Sequence, residues 1–96
     1  MASLFIIQGG DQGRRFELKG KAVGLGRDNS NPIRLHDHEV SRRHAEVRPS
    51  GGKWIVKDLG STNGVKVNGR RIQGAQSLRN GDTITLGTSD IVFELE

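Results

Sequence analysis

The sequence predicts an all-β fold, a sandwich or barrel of ten or eleven short strands of three to six residues with essentially no helix. Three observations predict it. Apolar residues recur with a two-residue beat, the period at which successive side chains alternate across a strand. Glycine supplies 14 of the 96 residues, about twice its ordinary share of roughly 7%, which marks many turns. A 3.6-residue apolar stripe sustained over ten positions is absent, so nothing favours an amphipathic helix.

The strands follow in order along the chain. The run Leu4 to Ile7 opens the pattern, then Phe16 and Leu18 flank Glu17, and Val23 and Leu25 flank Gly24. Ala45 and Val47 alternate with Glu46 and Arg48, Trp54 and Val56 continue the beat, and Val65 and Val67 lie either side of Lys66. Ile84 and Leu86 sit between Thr83 and Thr85, while Ile91, Phe93 and Leu95 are expected to face inward with Val92, Glu94 and Glu96 outward. Between them, Asn-Gly occurs at Asn63-Gly64, Asn68-Gly69 and Asn80-Gly81. This pair tolerates the positive φ of tight hairpin turns. Gly9-Gly10, Gly51-Gly52 and Pro32 add further breaks.

Ninety-six residues allow one modest core, so residues 1–96 are read as a single domain. The chain has no cysteine, which excludes a disulfide framework and a thiolate zinc site. Its longest apolar run is too short for a membrane span or a signal segment, and a soluble, cytoplasmic module without membrane attachment is expected. Fifteen basic against 11 acidic residues give a net charge of +4, which favours anionic partners without naming them.

Function is sought where strand patterning lapses, in Asp28 to Asn31, His36 to Arg43 and Gly60 to Gly64, because loops on a rigid sheet scaffold carry most binding residues. Enzyme signatures there are weak. Gly24-Leu25-Gly26 lacks the third glycine of a dinucleotide loop, and Gly60 to Gly64 continues into Val65 where a phosphate-binding loop needs lysine. His36-Asp37-His38 offers two rings without a converging third ligand, so no metal site and no cofactor are expected. Ser41, His44 and Asp58 contain the letters of a hydrolase triad, but triads are recognised by geometry, and no enzymatic activity is expected.

What clusters instead is Gly26-Arg27, Ser41-Arg42-Arg43-His44, the turn Asp58-Leu59-Gly60-Ser61-Thr62-Asn63-Gly64, and Val67-Asn68-Gly69. In this order and spacing the motifs resemble the forkhead-associated (FHA) domain, over nearly the whole chain. The segment Leu78 to Ile84 is also similar to that family. The resemblance implies an eleven-stranded β-sandwich of two twisted, mainly antiparallel sheets whose loops at one end bind phosphothreonine peptides. It implies that Arg27 grips the phosphate, for which a planar, permanently charged guanidinium is suited. Ser41 would add a hydroxyl donor and Arg42 a further donor. Asn63 would pair with the peptide main chain through an amide that both donates and accepts. Thr62, on the same analogy, belongs to the pocket that prefers phosphothreonine over phosphoserine.

Gly26, Gly60 and Gly64 are expected to serve backbone geometry through glycine's permissive φ, and His44 to tie backbone groups together rather than touch ligand. The expected partners are phosphothreonine-containing substrates of a serine/threonine kinase, bound by a monomer acting as a signalling adaptor. Without a long N-terminal tail carrying a threonine, self-inhibition is not expected. Two alternatives stand beside this reading, a phosphate-independent FHA assembly module and a basic β-barrel for nucleic acid. Against the latter, the only aromatics are Phe5, Phe16, Trp54 and Phe93, and three of them fall on the inward beat, whereas stacking platforms need exposed rings.

Overall fold

Two sheets face each other in the computed structural model, which describes all 96 residues. Eleven strands run β1 (Ala2–Gln8), β2 (Arg15–Leu18), β3 (Val23–Gly26), β4 (Ile33–Arg34), β5 (Ala45–Ser50), β6 (Lys53–Asp58), β7 (Val65–Val67), β8 (Arg70–Arg71), β9 (Ala75–Leu78), β10 (Thr83–Leu86) and β11 (Ser89–Leu95). One sheet has the order β2-β1-β11-β10-β7-β8 and the other β4-β3-β5-β6-β9. All neighbouring strands are antiparallel except β3 and β4. The expected sandwich without helix is therefore what forms, although strand lengths run from two residues in β4 and β8 to seven in β1 and β11.

The two-residue beat explains the core. Leu4, Ile6, Ile84, Leu86, Ile91 and Phe93 point inward from one sheet, and Leu25, Ala45, Val47 and Val56 from the other, all fully buried. Each large aliphatic or aromatic side chain so placed contributes roughly 1.5–3 kcal/mol through removal of apolar surface from water. Leu95 departs from the expectation. It lies on the inward beat opposite Ala2 but remains 44% exposed, because alternation selects the side of the sheet and not whether anything covers it. The three Asn-Gly pairs also divide. Only Asn68-Gly69 closes a two-residue hairpin, between the paired Val67 and Arg70, with φ of 52° and 82°. Asn63-Gly64 and Asn80-Gly81 instead lie where the chain crosses from one sheet to the other.

Crossings and hairpins gather several loops at one end of the sandwich, and a buried carboxylate joins the β4–β5 loop to the β10–β11 hairpin there. Asp37, in the β4–β5 loop, accepts hydrogen bonds from Ser89 Oγ at 2.7 Å, Thr88 Oγ1 at 2.8 Å, the Glu39 N–H at 2.9 Å and the Thr88 N–H at 3.0 Å. Asp11, in the β1–β2 loop, does the same for the neighbouring residue, accepting the His36 N–H at 2.7 Å, His36 Nδ1 at 2.8 Å and Arg14 Nη1 at 2.9 Å. Neither role was legible beforehand, since nothing local to either aspartate names its distant donors.

Burial pushes the Asp37 carboxyl up, but the bonds from Ser89, Glu39 and Thr88 outweigh it and hold the group below its ordinary value of 3.8. A depressed folded-state value means that the ionised carboxylate contributes stability above the unfolded-state pKa, and that this contribution is lost as the pH falls through the folded one. Asp37→Asn is expected to lower stability by about 1–3 kcal/mol at pH 7, the cost of leaving buried donors poorly matched. Urea unfolding followed from pH 7 to pH 3 should show the gap from the parent protein narrowing below about pH 4.

Candidate functional site

Arg27 leaves β3 under close control. Its N–H donates to the Ser41 carbonyl at 3.0 Å, the next N–H, of Asp28, donates to the Arg42 carbonyl at 3.1 Å, and its side-chain Nε donates to the Val40 carbonyl at 3.0 Å. The guanidinium is thereby fixed along its inner edge. Its terminal nitrogens make no bond within the chain and have no carboxylate partner. Such a fork is prepared for an anion, since the entropy of orienting it is already lost before binding.

Gly26 makes that approach possible, though not for the expected reason. Its φ lies outside the left-handed region. A Cβ there would sit 2.1 Å from the Arg42 carbonyl oxygen and 2.7 Å from Asn31 Nδ2. The requirement is space, because the buried Asn31 amide donates to both the Asp28 carbonyl at 2.8 Å and the Arg42 carbonyl at 2.7 Å, drawing the two loops together against β3. Gly60 and Gly64, at φ of 76° and 80°, do meet the conformational expectation.

The Ser41 to His44 segment is a turn closed by its own histidine. The Ser41 N–H donates to His44 Nδ1 at 3.0 Å, so the ring hydrogen sits on Nε2, which donates to the Gly64 carbonyl at 2.7 Å. The fully buried ring thus connects the β4–β5 loop to the β6–β7 loop. Ser41 Oγ accepts the Thr62 N–H at 3.1 Å, which strengthens the same connection and leaves the hydroxyl hydrogen free to donate. The triad letters do not assemble: His44 meets the main-chain nitrogen of Ser41, not its hydroxyl, and Asp58 accepts the Ser61 N–H at 2.9 Å.

Asn63 is exposed, and its Nδ2 donates to the Glu39 carbonyl at 2.9 Å and to Glu39 Oε2 at 3.2 Å. Its Oδ1 makes no bond within the chain, so the amide is oriented with its acceptor available. Arg27, Ser41, Arg42, Thr62 and Asn63 line one open depression of about 330 Å³ together with His38 and Glu39. Arg43 lines a different depression, beside Gly24 and Glu46. All five sequence-identified candidates therefore converge, while Asn31, Asp37 and Glu39, which set the loops or the Asn63 amide, went unrecognised. For Asn31 and Asp37 the only advance signal was turn chemistry, the tendency of Asx side chains to bond nearby backbone groups, and for Glu39 there was none.

A protein-family model described as the FHA domain matches residues 23–87. The oxoglutarate dehydrogenase inhibitor of Corynebacterium jeikeium is 41% identical over 92 residues, covering 96% of this chain and 63% of that protein. The glycogen accumulation regulator GarA of Mycolicibacterium smegmatis is likewise 41% identical over 92 residues, covering 96% of this chain and 58% of its own length. The chain thus spans about three fifths of these curated relatives. A solved domain from work on phosphothreonine-dependent FHA domain interactions superposes with a TM-score of 0.89 at 36% identity, covering 99% of this chain and 96% of that one.

Two alanine substitutions separate space from conformation. Gly26→Ala drives a Cβ into main-chain oxygen and is expected to cost at least about 2 kcal/mol, as overpacking does in well-fitted interiors. Gly60→Ala meets no atom within 4 Å and should cost about 1–2 kcal/mol from the left-handed backbone alone. Thermal denaturation of both variants checks the order.

Proposed function

The chain belongs to the forkhead-associated domain family, and on that premise we propose that it is a phosphothreonine-peptide-binding module serving as a phosphorylation-dependent adaptor. The observation that carries this reading is the Arg27 guanidinium, tied at Nε to the Val40 carbonyl and sharing a depression with the Ser41 hydroxyl, Arg42, Thr62 and Asn63. A phosphothreonine carries about −1.5 to −2 charge and three acceptor oxygens. Each charge-assisted bond from Arg27, Ser41 or Arg42 is worth roughly 1.5–3 kcal/mol before desolvation and ordering are subtracted. The unphosphorylated peptide forfeits nearly all of this.

In this reading Arg27 and Arg42 supply charge, and Ser41 supplies a neutral donor whose acceptor lone pair is already used by the Thr62 N–H. Asn63 Oδ1 accepts a main-chain N–H of the peptide and fixes its register. Thr62 borders the phosphate and the threonine methyl. The module binds without altering its ligand, and a ligand written by a serine/threonine kinase suits the cytoplasm. No helix is long and apolar enough to cross a membrane.

Nucleic-acid binding is the less favoured alternative because ring faces are occupied. Phe93 is fully buried, Trp54 packs on the core, and the guanidinium carbons of Arg14 and Arg15 lie 4.9 Å from the ring centroids of Phe16 and Phe5. Stacking of bases needs free aromatic faces.

Fluorescence-polarisation titration with a phosphothreonine peptide tests the reading. Arg27→Ala should weaken binding by about 100-fold or more, the loss of roughly two charge-assisted bonds, with an unchanged β-rich circular dichroism spectrum. Retained affinity would show that the phosphate is held elsewhere. The phosphoserine form of the peptide should bind poorly, and tight binding of single-stranded oligonucleotide without peptide binding would favour the alternative.

A further inference from the structure

A second depression, of about 320 Å³, opens on the other side of Arg27 and is lined by Arg27, Arg34, Leu35, His36, Asp37 and His38. Arg27 and His38 belong to both depressions. Arg34 stands in parallel register with Gly26, so β4 places it beside Arg27. Its Nε donates to the Arg27 carbonyl at 3.1 Å, while its terminal nitrogens, like those of Arg27, make no bond within the chain. Two neighbouring guanidiniums are thus both anchored through Nε to main-chain oxygen and both free at the outer fork.

No nearby carboxylate forms an ion pair with them. Asp37 is buried and accepts four hydrogen bonds, and Asp11 is saturated by His36 and Arg14. Asp28 is exposed, and the hydrogen bonds from Ser30, with smaller contributions from Arg42 and then Arg34, lower its pKa, yet it lies within ion-pair distance of neither arginine. The opposite flank carries both signs. The depression beyond Asn63 contains the exposed Glu39 carboxylate beside Lys66, a mixed surface that would oppose an incoming anion. One flank of the phosphate site therefore carries two guanidinium forks with no carboxylate in ion-pair contact, and the other does not.

Resting on the phosphothreonine reading, we infer that the Arg34 side of Arg27 is a second anion subsite, which binds another anionic side chain of the same peptide. That group is a second phosphoryl group or a carboxylate. Two guanidinium forks side by side match the several oxygens of a phosphoryl group better than those of a carboxylate. Because the second contact forms within an already bound peptide, it acts at high effective concentration and raises affinity without a new bimolecular step. The preferred ligands are then doubly phosphorylated segments, or singly phosphorylated ones with an acidic neighbour on one side only.

The test uses the whole chain and peptides bearing one phosphothreonine, with a second phosphothreonine, a glutamate or an alanine placed two to five residues before it or after it. In one of the two directions, the second phosphothreonine is expected to tighten binding by about tenfold or more. Arg34→Gln should remove that gain while binding the alanine peptide as the parent does. A glutamate that reproduces the gain identifies an acidic neighbour as a sufficient ligand, and a gain confined to phosphothreonine identifies a doubly phosphorylated one. Equal affinity for singly and doubly phosphorylated peptides in both directions, or a gain that survives Arg34→Gln, overturns the inference. Failure of every singly phosphorylated peptide would instead overturn the phosphothreonine reading itself.

Discussion

The binding end depends most on one buried imidazole. His44 accepts the Ser41 N–H and donates to the Gly64 carbonyl, so a single rigid ring spans the loops that carry Ser41 on one side and Thr62 and Asn63 on the other. A ring in this position has no rotamer to choose without stranding a buried donor or acceptor, which costs far more than a surface bond. The main-chain bonds that the Ser41 and Arg42 carbonyls accept from Arg27 and Asp28 then follow, and through Val40 the same loop fixes the guanidinium. Geometry at the phosphate site is thus inherited from a residue that does not face it.

Electrostatics at this end work by separation. Asp11 and Asp37 are turned inward and consumed by N–H and O–H donors, while Arg27, Arg34 and Arg42 remain outside with free terminal nitrogens. Had those aspartates paired with two of the arginines, most of the positive charge would be cancelled and a phosphate would have to displace them. Using backbone carbonyls to hold each Nε achieves orientation without cancelling charge. The net charge of +4 therefore understates the local field, which a concave, loop-lined end concentrates.

Much of the fold was legible because alternation reports directly on burial. Leu25, Val47, Ile84 and Phe93 fall where the two-residue beat puts them, since a strand has only two faces and one is wet. The failures have equally local causes. Leu95 keeps the beat but lies uncovered, and two of the three Asn-Gly pairs serve inter-sheet crossings, because positive-φ tolerance permits many turns and selects none. Gly26 was read as conformational and is instead a point of contact between backbones.

By itself, the order of residues determined that strands form, which faces are apolar, and which side chains have the chemistry to hold a phosphate, because these properties reside in single residues and their immediate neighbours. Only the tertiary structure decided that Arg27, Ser41, Arg42, Thr62 and Asn63 share one depression, that Asp37 anchors their loop, and that Arg34 stands beside Arg27 without an ion-pair partner. These are relations between segments distant in the chain, set by sheet register and by where buried polar groups find partners, and neither quantity is encoded in any one stretch of sequence.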